Sequence, residues 1–426
     1  MIKQIYQIYL KSKGVNTDTR SVTTGEVFFA LKGDTFDGNQ YAEMALEKGA
    51  ILAVVDDETV VKSEQYILVK DVLTALQQVA SMHRDSFSIP FFGITGTNGK
   101  TTTKELLYAV LNKKYKTYAT KGNLNNHIGV PLTLLSIQKD AEFAIIEMGA
   151  NHIGEIAELC AIAKPTHGLI TNIGKAHLAG FGSLEGVARA KSELYMYLLQ
   201  QQGKVFVNGT DEHLMRMSAR LLDPVYYCHN QASYPTKYLK SSPYLAYQDP
   251  QGKAWETKLI GSYNYNNIAA ALTVGDFFGL ENNEMNQAIV DYIPSNNRSE
   301  IRKINTNTII LDAYNANPSS MQSAINSFAD MDSEQKILVI GDMFELGKDA
   351  REEHDKIIQL ALSTNVDLIL TCGELYQATN TKDNRLKKFQ DTEKLGPFLQ
   401  KNNYTNTLLL IKGSRGMKME KLLNSL

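Results

Sequence analysis

One stretch restricts this chain more than any other. It is Gly96-Thr97-Asn98-Gly99-Lys100-Thr101-Thr102, set between the apolar run Phe91-Phe92-Gly93-Ile94 and a segment carrying Leu106, Leu107, Val110 and Leu111 at helical spacing. The pattern reads as buried strand, glycine turn and helix start. Free backbone N–H groups and the positive end of a helix dipole then converge on one point, which suits an anion. Gly96 and Gly99 admit backbone angles closed to other residues. Lys100 can reach the terminal phosphates of a nucleotide, and the Thr101 hydroxyl can ligate Mg²⁺. Strict Walker spacing would place a glycine at position 94, where Ile94 stands. The plain alternative is a turn with an exposed lysine. Gly-Lys-Thr directly after a strand favours a nucleoside triphosphate site.

At 426 residues the chain exceeds one ordinary core, and length suggests about two to four domains. A net charge of −2 supplies no global basic field for nucleic acid, so phosphate binding has to be local. No apolar run approaches the roughly 18 residues of a membrane span. The first ten residues, interrupted by Lys3, Gln4 and Gln7, lack a signal-peptide core. Cys160, Cys228 and Cys372 lie far apart and match no metal or redox spacing. The expectation is a cytoplasmic protein with reduced, buried cysteines.

Taken in order, residues 1–87 read as a small α/β domain with strands at Val27-Phe28-Phe29-Ala30-Leu31 and Ile51-Leu52-Ala53-Val54-Val55. Its polar turns, Asp18-Thr19-Arg20-Ser21 and Gly33-Asp34-Thr35-Phe36-Asp37-Gly38, are either plain connections or a place for a nucleotide-like ligand. Residues 88–297 alternate apolar runs with helical segments, which argues for a parallel sheet covered on both faces. Ligands in such folds sit at the carboxyl ends of strands, where Glu147, Asn172 and His177 fall. Residues 223–258 turn to Tyr, Ser, Pro and Gln and read as short strands. Residues 298–426 form a second α/β unit, with apolar runs ending at Asp312, Asp342 and Lys412.

Several polar residues admit two readings. Glu147 is a Mg²⁺ ligand at a strand end or a helix cap. His177 holds a metal or phosphate, or is a hydrogen-bonded structural histidine. Lys191 has the look of a solvated helix lysine. Asn264 and Asn267 contact an adenine edge or cap a helix, and capping is favoured on sequence alone. Asp312-Ala313-Tyr314-Asn315-Ala316-Asn317-Pro318 is too polar for a simple turn. Arg415, in Lys412-Gly413-Ser414-Arg415, suits a carboxylate or phosphate. These residues reach an Mg-ATP enzyme without naming its substrate.

Together the motifs resemble the Mur ligases of bacterial cell-wall synthesis, over essentially the whole chain. The likeness runs through Asp18-Thr19-Arg20, Phe36-Asp37-Gly38 and the glycine loop. It continues in Gly122-Asn123-Leu124-Asn125-Asn126-His127-Ile128-Gly129, Glu147-Met148-Gly149-Ala150-Asn151-His152 and Ala176-His177-Leu178. It closes with the Asp312–Pro318 loop, Gly341-Asp342-Met343-Phe344-Glu345-Leu346-Gly347 and Lys412-Gly413-Ser414-Arg415. The resemblance implies a three-domain α/β ligase. Residues 1–87 would bind the UDP end of the substrate. Residues 88–297 would form a central P-loop ATPase-like parallel sheet. Residues 298–426 would form a Rossmann-like domain that holds the dipeptide side and closes over ATP. It implies ATP-dependent amide formation between UDP-N-acetylmuramoyl-tripeptide and D-Ala-D-Ala through an acyl phosphate and a tetrahedral intermediate.

By position the resemblance assigns ATP to Gly96, Thr97, Asn98, Gly99, Lys100, Thr101, Thr102, Asn264, Asn267, Arg298 and Asp312. Metal falls to Thr101, Glu147 and His177, and Lys191 corresponds to a lysine that can be carbamylated. Lys100, His177 and Lys191 form the catalytic set. Substrate falls to Thr19, Arg20, Asp37, Gly38, Asn123, Asn125, Asn126, Asn315, Lys412, Ser414 and Arg415. Tyr263 stands where the family often has His. A monomer and an open-to-closed domain motion are expected. The alternatives are another Mur or folylpolyglutamate-type amide ligase and, from a different class, a P-loop NTPase switch.

Overall fold

The computed structural model describes residues 1–295 and 297–426. Its centre is a six-stranded sheet, all parallel, in the order Val225–Tyr227, Lys204–Asn208, His167–Ile170, Phe91–Thr95, Phe143–Glu147, Thr117–Ala119. All five residues of Phe91–Thr95 and of Phe143–Glu147 are buried. That accounts for their unbroken apolar character: helices cover both faces, so neither strand shows the alternation of a half-exposed strand. After Phe91–Thr95 the chain builds two strands to one side and then crosses to the other with His167–Ile170. The order therefore reverses at the phosphate-loop strand, and a crevice opens at its carboxyl end.

Residues 1–87 carry a four-stranded parallel sheet, Val15–Asn16, Val27–Phe29, Leu52–Val55 and Tyr66–Leu68. Packing joins this unit to the central one. Helices Ile2–Tyr9 and Val72–Asp85 share one core with helices Gly129–Leu135 and Glu155–Ala163. Polar bonds cross the same boundary: Tyr9 Oη donates to the Leu135 carbonyl at 2.7 Å, and the Arg84 guanidinium to those of Ala163 and Lys164. The segment 223–260 holds strand Val225–Tyr227 at the edge of the central sheet and an antiparallel three-stranded meander, Lys237–Ser241, Tyr244–Gln248 and Ala254–Ile260.

The last unit is a six-stranded sheet in the order Glu300–Ile304, Asn307–Asp312, Thr407–Lys412, Gln335–Gly341, Leu368–Cys372, Leu386–Phe389. It is parallel except for the edge strand Glu300–Ile304, which forms an antiparallel hairpin with its neighbour. Glu300–Ile304 reads Glu-Ile-Arg-Lys-Ile, too charged to resemble the apolar runs beside it. No helix among the described residues is long and apolar enough to cross a membrane. Cys160, Cys228 and Cys372 are free, and burial raises each thiol to a pKa of about 12.

Candidate active site

The glycine loop ends in a helix, Lys100–Leu111, whose N-cap is Gly99 in the left-handed region at φ +79°. Gly96 has φ +140°, and a Cβ there would lie 2.0 Å from Thr171 Oγ1. A Cβ on Gly99 would lie 2.6 Å from Asn267 Oδ1. Both glycines are therefore required by backbone angle and by close approach. The next strand's loop braces the turn. Thr97 N–H donates to the Asn172 carbonyl, Asn98 N–H to Asn172 Oδ1, and Thr171 Oγ1 to the Asn98 carbonyl at 2.6 Å. Thr171 and Asn172 follow strand His167–Ile170 directly. The strand stops at Ile170, which frees both residues for this work.

Lys100 folds back, its Nζ donating to the carbonyls of Gly96 (2.7 Å) and Thr97 (3.0 Å). Burial depresses its pKa, partly offset by the Glu147 carboxylate. Glu147 caps no helix, since the next helix starts at Glu155. Its Oε1 instead accepts from Thr101 Oγ1 at 3.2 Å and Asn125 Nδ2 at 2.8 Å, while its buried Oε2 has no partner among the described residues. A 1%-exposed carboxylate with one oxygen unsatisfied among the described residues, beside a threonine hydroxyl, has the chemistry that suits a hard cation.

Asn264 and Asn267 lie inside helix Asn264–Phe277, behind Tyr263, which provides no side-chain cap. The capping expectation fails because both amides face inward. Thr103 Oγ1 donates to Asn267 Oδ1, Asn267 Nδ2 to Asn264 Oδ1, and Asn264 Nδ2 to the Ile260 carbonyl. Lys191 is likewise no solvated lysine. It is 2% exposed, donates to the Ala150 carbonyl at 3.3 Å, and sits 5.2 Å from the centre of the Phe181 ring. Burial first, and then the charge of Lys100, push its pKa down to about 7.

The loops of the C-terminal sheet face this floor. Asn317 Nδ2 donates to Asn98 Oδ1 at 2.8 Å, and Lys175 N–H donates to Ser319 Oγ. Asn317 also starts helix Pro318–Ala329 with a capping box, Ser320 N–H donating to its Oδ1 and its own N–H to Ser320 Oγ. Lys175 pairs with the buried Glu353 at 2.8 Å. Arg298 stacks on Tyr314 at 3.5 Å, its buried Nε without a partner among the described residues, and Arg415 approaches the same ring at 5.3 Å. Asp312 and Lys412 form an ion pair at 2.6 Å, and Lys412 also donates to the Asn315 carbonyl.

The result is one cavity of about 680 Å³. It is lined by Thr97 to Thr102, Asn123, Asn125, Asn126, Glu147, His177, Asn264, Asn267, Arg298, Asp312, Asn315 and Lys412. Ser414 stays behind the wall, accepting from Phe344 N–H at 3.0 Å. Thr19, Arg20, Asp37 and Gly38 do not line it. Arg20, with its side chain 89% exposed, chelates Asp18. The Thr19 carbonyl accepts from Lys48 Nζ, and Asp37 Oδ1 accepts from Asn39. Gly38 is required where it stands, because a Cβ would lie 2.4 Å from the Leu31 carbonyl oxygen. Sequence reasoning did not name Tyr314, Asn317 or Ser319 as site residues, although all three line the cavity. Tyr314 and Asn317 lie in the polar Asp312–Pro318 loop that the sequence marks, and Asn317 carries the further signal of a cap residue directly before proline.

Residues 94–275 match the family model of the Mur ligase middle domain, 297–415 that of the Mur ligase, glutamate ligase domain, and 11–84 that of the Mur ligase family, catalytic domain. The UDP-N-acetylmuramoyl-tripeptide--D-alanyl-D-alanine ligase of Bacillus subtilis (strain 168) is 33% identical, over 97% of this chain and 93% of that protein. The crystal structure of MurF from Acinetobacter baumannii matches with a TM-score of 0.89 at 29% identity, over 100% of this chain and 98% of that one. That of MurF ligase from Thermotoga maritima in complex with ADP matches with a TM-score of 0.86 at 26% identity, over 98% and 97%.

Proposed function

The chain belongs to the Mur ligase family, and from that premise we infer an ATP-dependent ligase that joins D-Ala-D-Ala to UDP-N-acetylmuramoyl-tripeptide in peptidoglycan synthesis. The observation that carries this to the residues is the shared cavity, with a phosphate cradle on one wall and charged loops of the C-terminal sheet on the other.

A carboxylate is a poor acyl donor. Transfer of the γ-phosphoryl group to the tripeptide's terminal carboxylate makes an acyl phosphate and ADP. The dipeptide amine then adds to the acyl carbon, loses its proton, and phosphate leaves as the amide forms. The chain's share is positioning and charge. The loop N–H groups and Lys100 hold the phosphates against the helix dipole. Asn264 and Asn267 stand at the adenine end, with Arg298 and Asp312 reaching over from the last sheet. Asn315, Lys412 and Arg415 serve the dipeptide side, with Ser414 acting from behind the wall by holding the Phe344 N–H. Asn123, Asn125 and Asn126, with Thr19, Arg20, Asp37 and Gly38, serve the UDP substrate.

Thr101 and Glu147, with His177 further along the cavity, are the residues that would hold Mg²⁺. The free Glu147 oxygen supports that fit. Bound there, Mg²⁺ supplies neutralisation of the charge on the transferring phosphoryl group. Burial lowers the Lys191 pKa to about 7, well below the ordinary lysine range, and so favours its neutral amine. That form attacks carbon dioxide through its nitrogen lone pair and then loses a proton to give a carbamate. The functional division follows residues 1–87, 88–297 and 298–426, in a cytoplasmic monomer whose last domain closes over ATP.

The test is phosphate release from ATP with Mg²⁺, UDP-N-acetylmuramoyl-tripeptide and D-Ala-D-Ala, omitting each in turn, with mass detection of the product. Turnover that needs both acceptors and yields the UDP-pentapeptide is expected. ATP hydrolysis indifferent to both would overturn the assignment.

A further inference from the structure

His177 and Glu345 meet across the boundary between the central and last units, and both have unusual backbones. His177 lies at φ +49° and Glu345 at φ +63°, the left-handed region that non-glycine residues rarely occupy. Neither position is free to relax. Ala179 N–H donates to the Glu345 carbonyl at 3.1 Å. Leu178, beside His177, is buried in the core of the last unit together with Met343 and Leu346. Met343 N–H in turn donates to Nε2 of the fully buried His354, whose Nδ1 bonds the Ala350 carbonyl. Strain kept on two facing residues and clamped from both sides points to a functional geometry.

The side chains explain the clamp. The Glu345 carboxylate lies directly against His177 Nδ1, the ring nitrogen buried away from solvent. Nε2 carries no hydrogen bond from the described residues, and the ring lines the cavity. A histidine whose one nitrogen is tied to a carboxylate presents the other in a fixed direction and tautomer. Glu345 is 57% exposed, too wet for the pair to contribute much to stability. Its effect is on orientation.

We propose that Glu345 is a positioning residue for the ligase reaction, which holds His177 by Nδ1 so that Nε2 faces the cavity only while the last unit is docked on the central one. The residue that completes the phosphate and metal side of the cavity is then set by a loop from the dipeptide side. The proposal rests on the ligase reading above for its purpose, and on the contact alone for its geometry.

The experiment compares the chain with Glu345→Ala and Glu345→Gln. Labelled with ¹⁵N-histidine and free of nucleotide and metal, the parent is expected to show His177 protonated on Nδ1 alone, with the signal assigned through His177→Ala. Glu345→Ala is expected to show a mixture of tautomers. In turnover it should need about 10- to 100-fold more Mg²⁺ for half-maximal rate, with the KM for dipeptide unchanged. Glu345→Gln keeps an acceptor of the same length and should restore the parent tautomer and most of the Mg²⁺ response. An Ala variant with unchanged imidazole signals overturns the proposal, whether its turnover is normal or its KM values rise together. The spectrum needs no substrate, so a parent chain without ligase turnover would strike the functional reading and leave this contact still testable.

Discussion

In the central cavity, polar side chains hold one another across long stretches of sequence: Asn98 meets Asn317, Thr101 meets Glu147, Thr103 meets Asn267, and Asp312 meets Lys412. In the N-terminal unit the candidate substrate residues are satisfied at home. Arg20 chelates Asp18 two residues away, and Asp37 accepts from Asn39. The first arrangement is built before any ligand arrives, with the buried Glu147 Oε2 and Arg298 Nε unpaired among the described residues. The second is only partly buried, with Arg20 open to solvent, and a ligand has to compete with local bonds there. Phosphoryl chemistry gains from preorganised charge in a water-poor site, whereas holding a nucleotide sugar requires only binding. Substitutions in the cavity should therefore act on turnover, and those in the N-terminal loops on substrate affinity.

The largest effect belongs to Lys100→Ala, where kcat for phosphate release should fall about 10³-fold with the fold intact by circular dichroism. A fall confined to KM would erase the contrast. Glu147→Gln comes next, lowering kcat about 10²-fold at fixed Mg²⁺ and partly recovering as Mg²⁺ is raised.

Lys191 sharpens the comparison through pH. Its folded pKa of about 7 lies below the ordinary lysine value of 10.5. Between those values the unfolded chain holds a proton that the folded chain has released, so this group makes stability rise with pH across the window, by at most about 1.4 kcal/mol per unit. Urea unfolding of Lys191→Met in CO₂-free buffer should show a flatter rise from pH 7 to 9 than the parent. With ¹³C-bicarbonate, the parent should show a carbamate carbon signal that declines as pH drops through about 7, and the Met variant none.

Asn317→Ala removes a capping box and the bond to Asn98 together. The expected loss is about 1 kcal/mol of stability in denaturant unfolding, with a modest fall in kcat. Least affected is Arg20→Ala, which should leave kcat and the KM for ATP unchanged and raise the KM for the UDP substrate by at most about tenfold. A large fall in kcat there would show the N-terminal loops to be part of the chemistry.

Much of the molecule could be read without coordinates. A strand buried on both faces must be apolar throughout, a phosphate turn must have glycine where the backbone goes left-handed, and a helix must start where caps and dipole allow. These are short-range constraints, so Phe91–Thr95, Gly96, Gly99 and the alternation of both large sheets are legible as sequence. The charged edge strand Glu300–Ile304 was not, because an edge carries no need for apolar residues. Local pattern also misjudged Asn264, Asn267 and Lys191, whose polarity suggested caps or solvent.

What the sequence by itself determined is thus the set of elements and the phosphate turn, because those rest on neighbours a few residues apart. Tertiary structure alone decided that residues 1–87 share a core with the central unit, that Lys191 is buried and its pKa lowered, and that Glu345 stands against His177. Each of these depends on burial or contact between segments tens to hundreds of residues apart. The low dielectric and the close approach that give those side chains their chemistry exist only once the chain has packed.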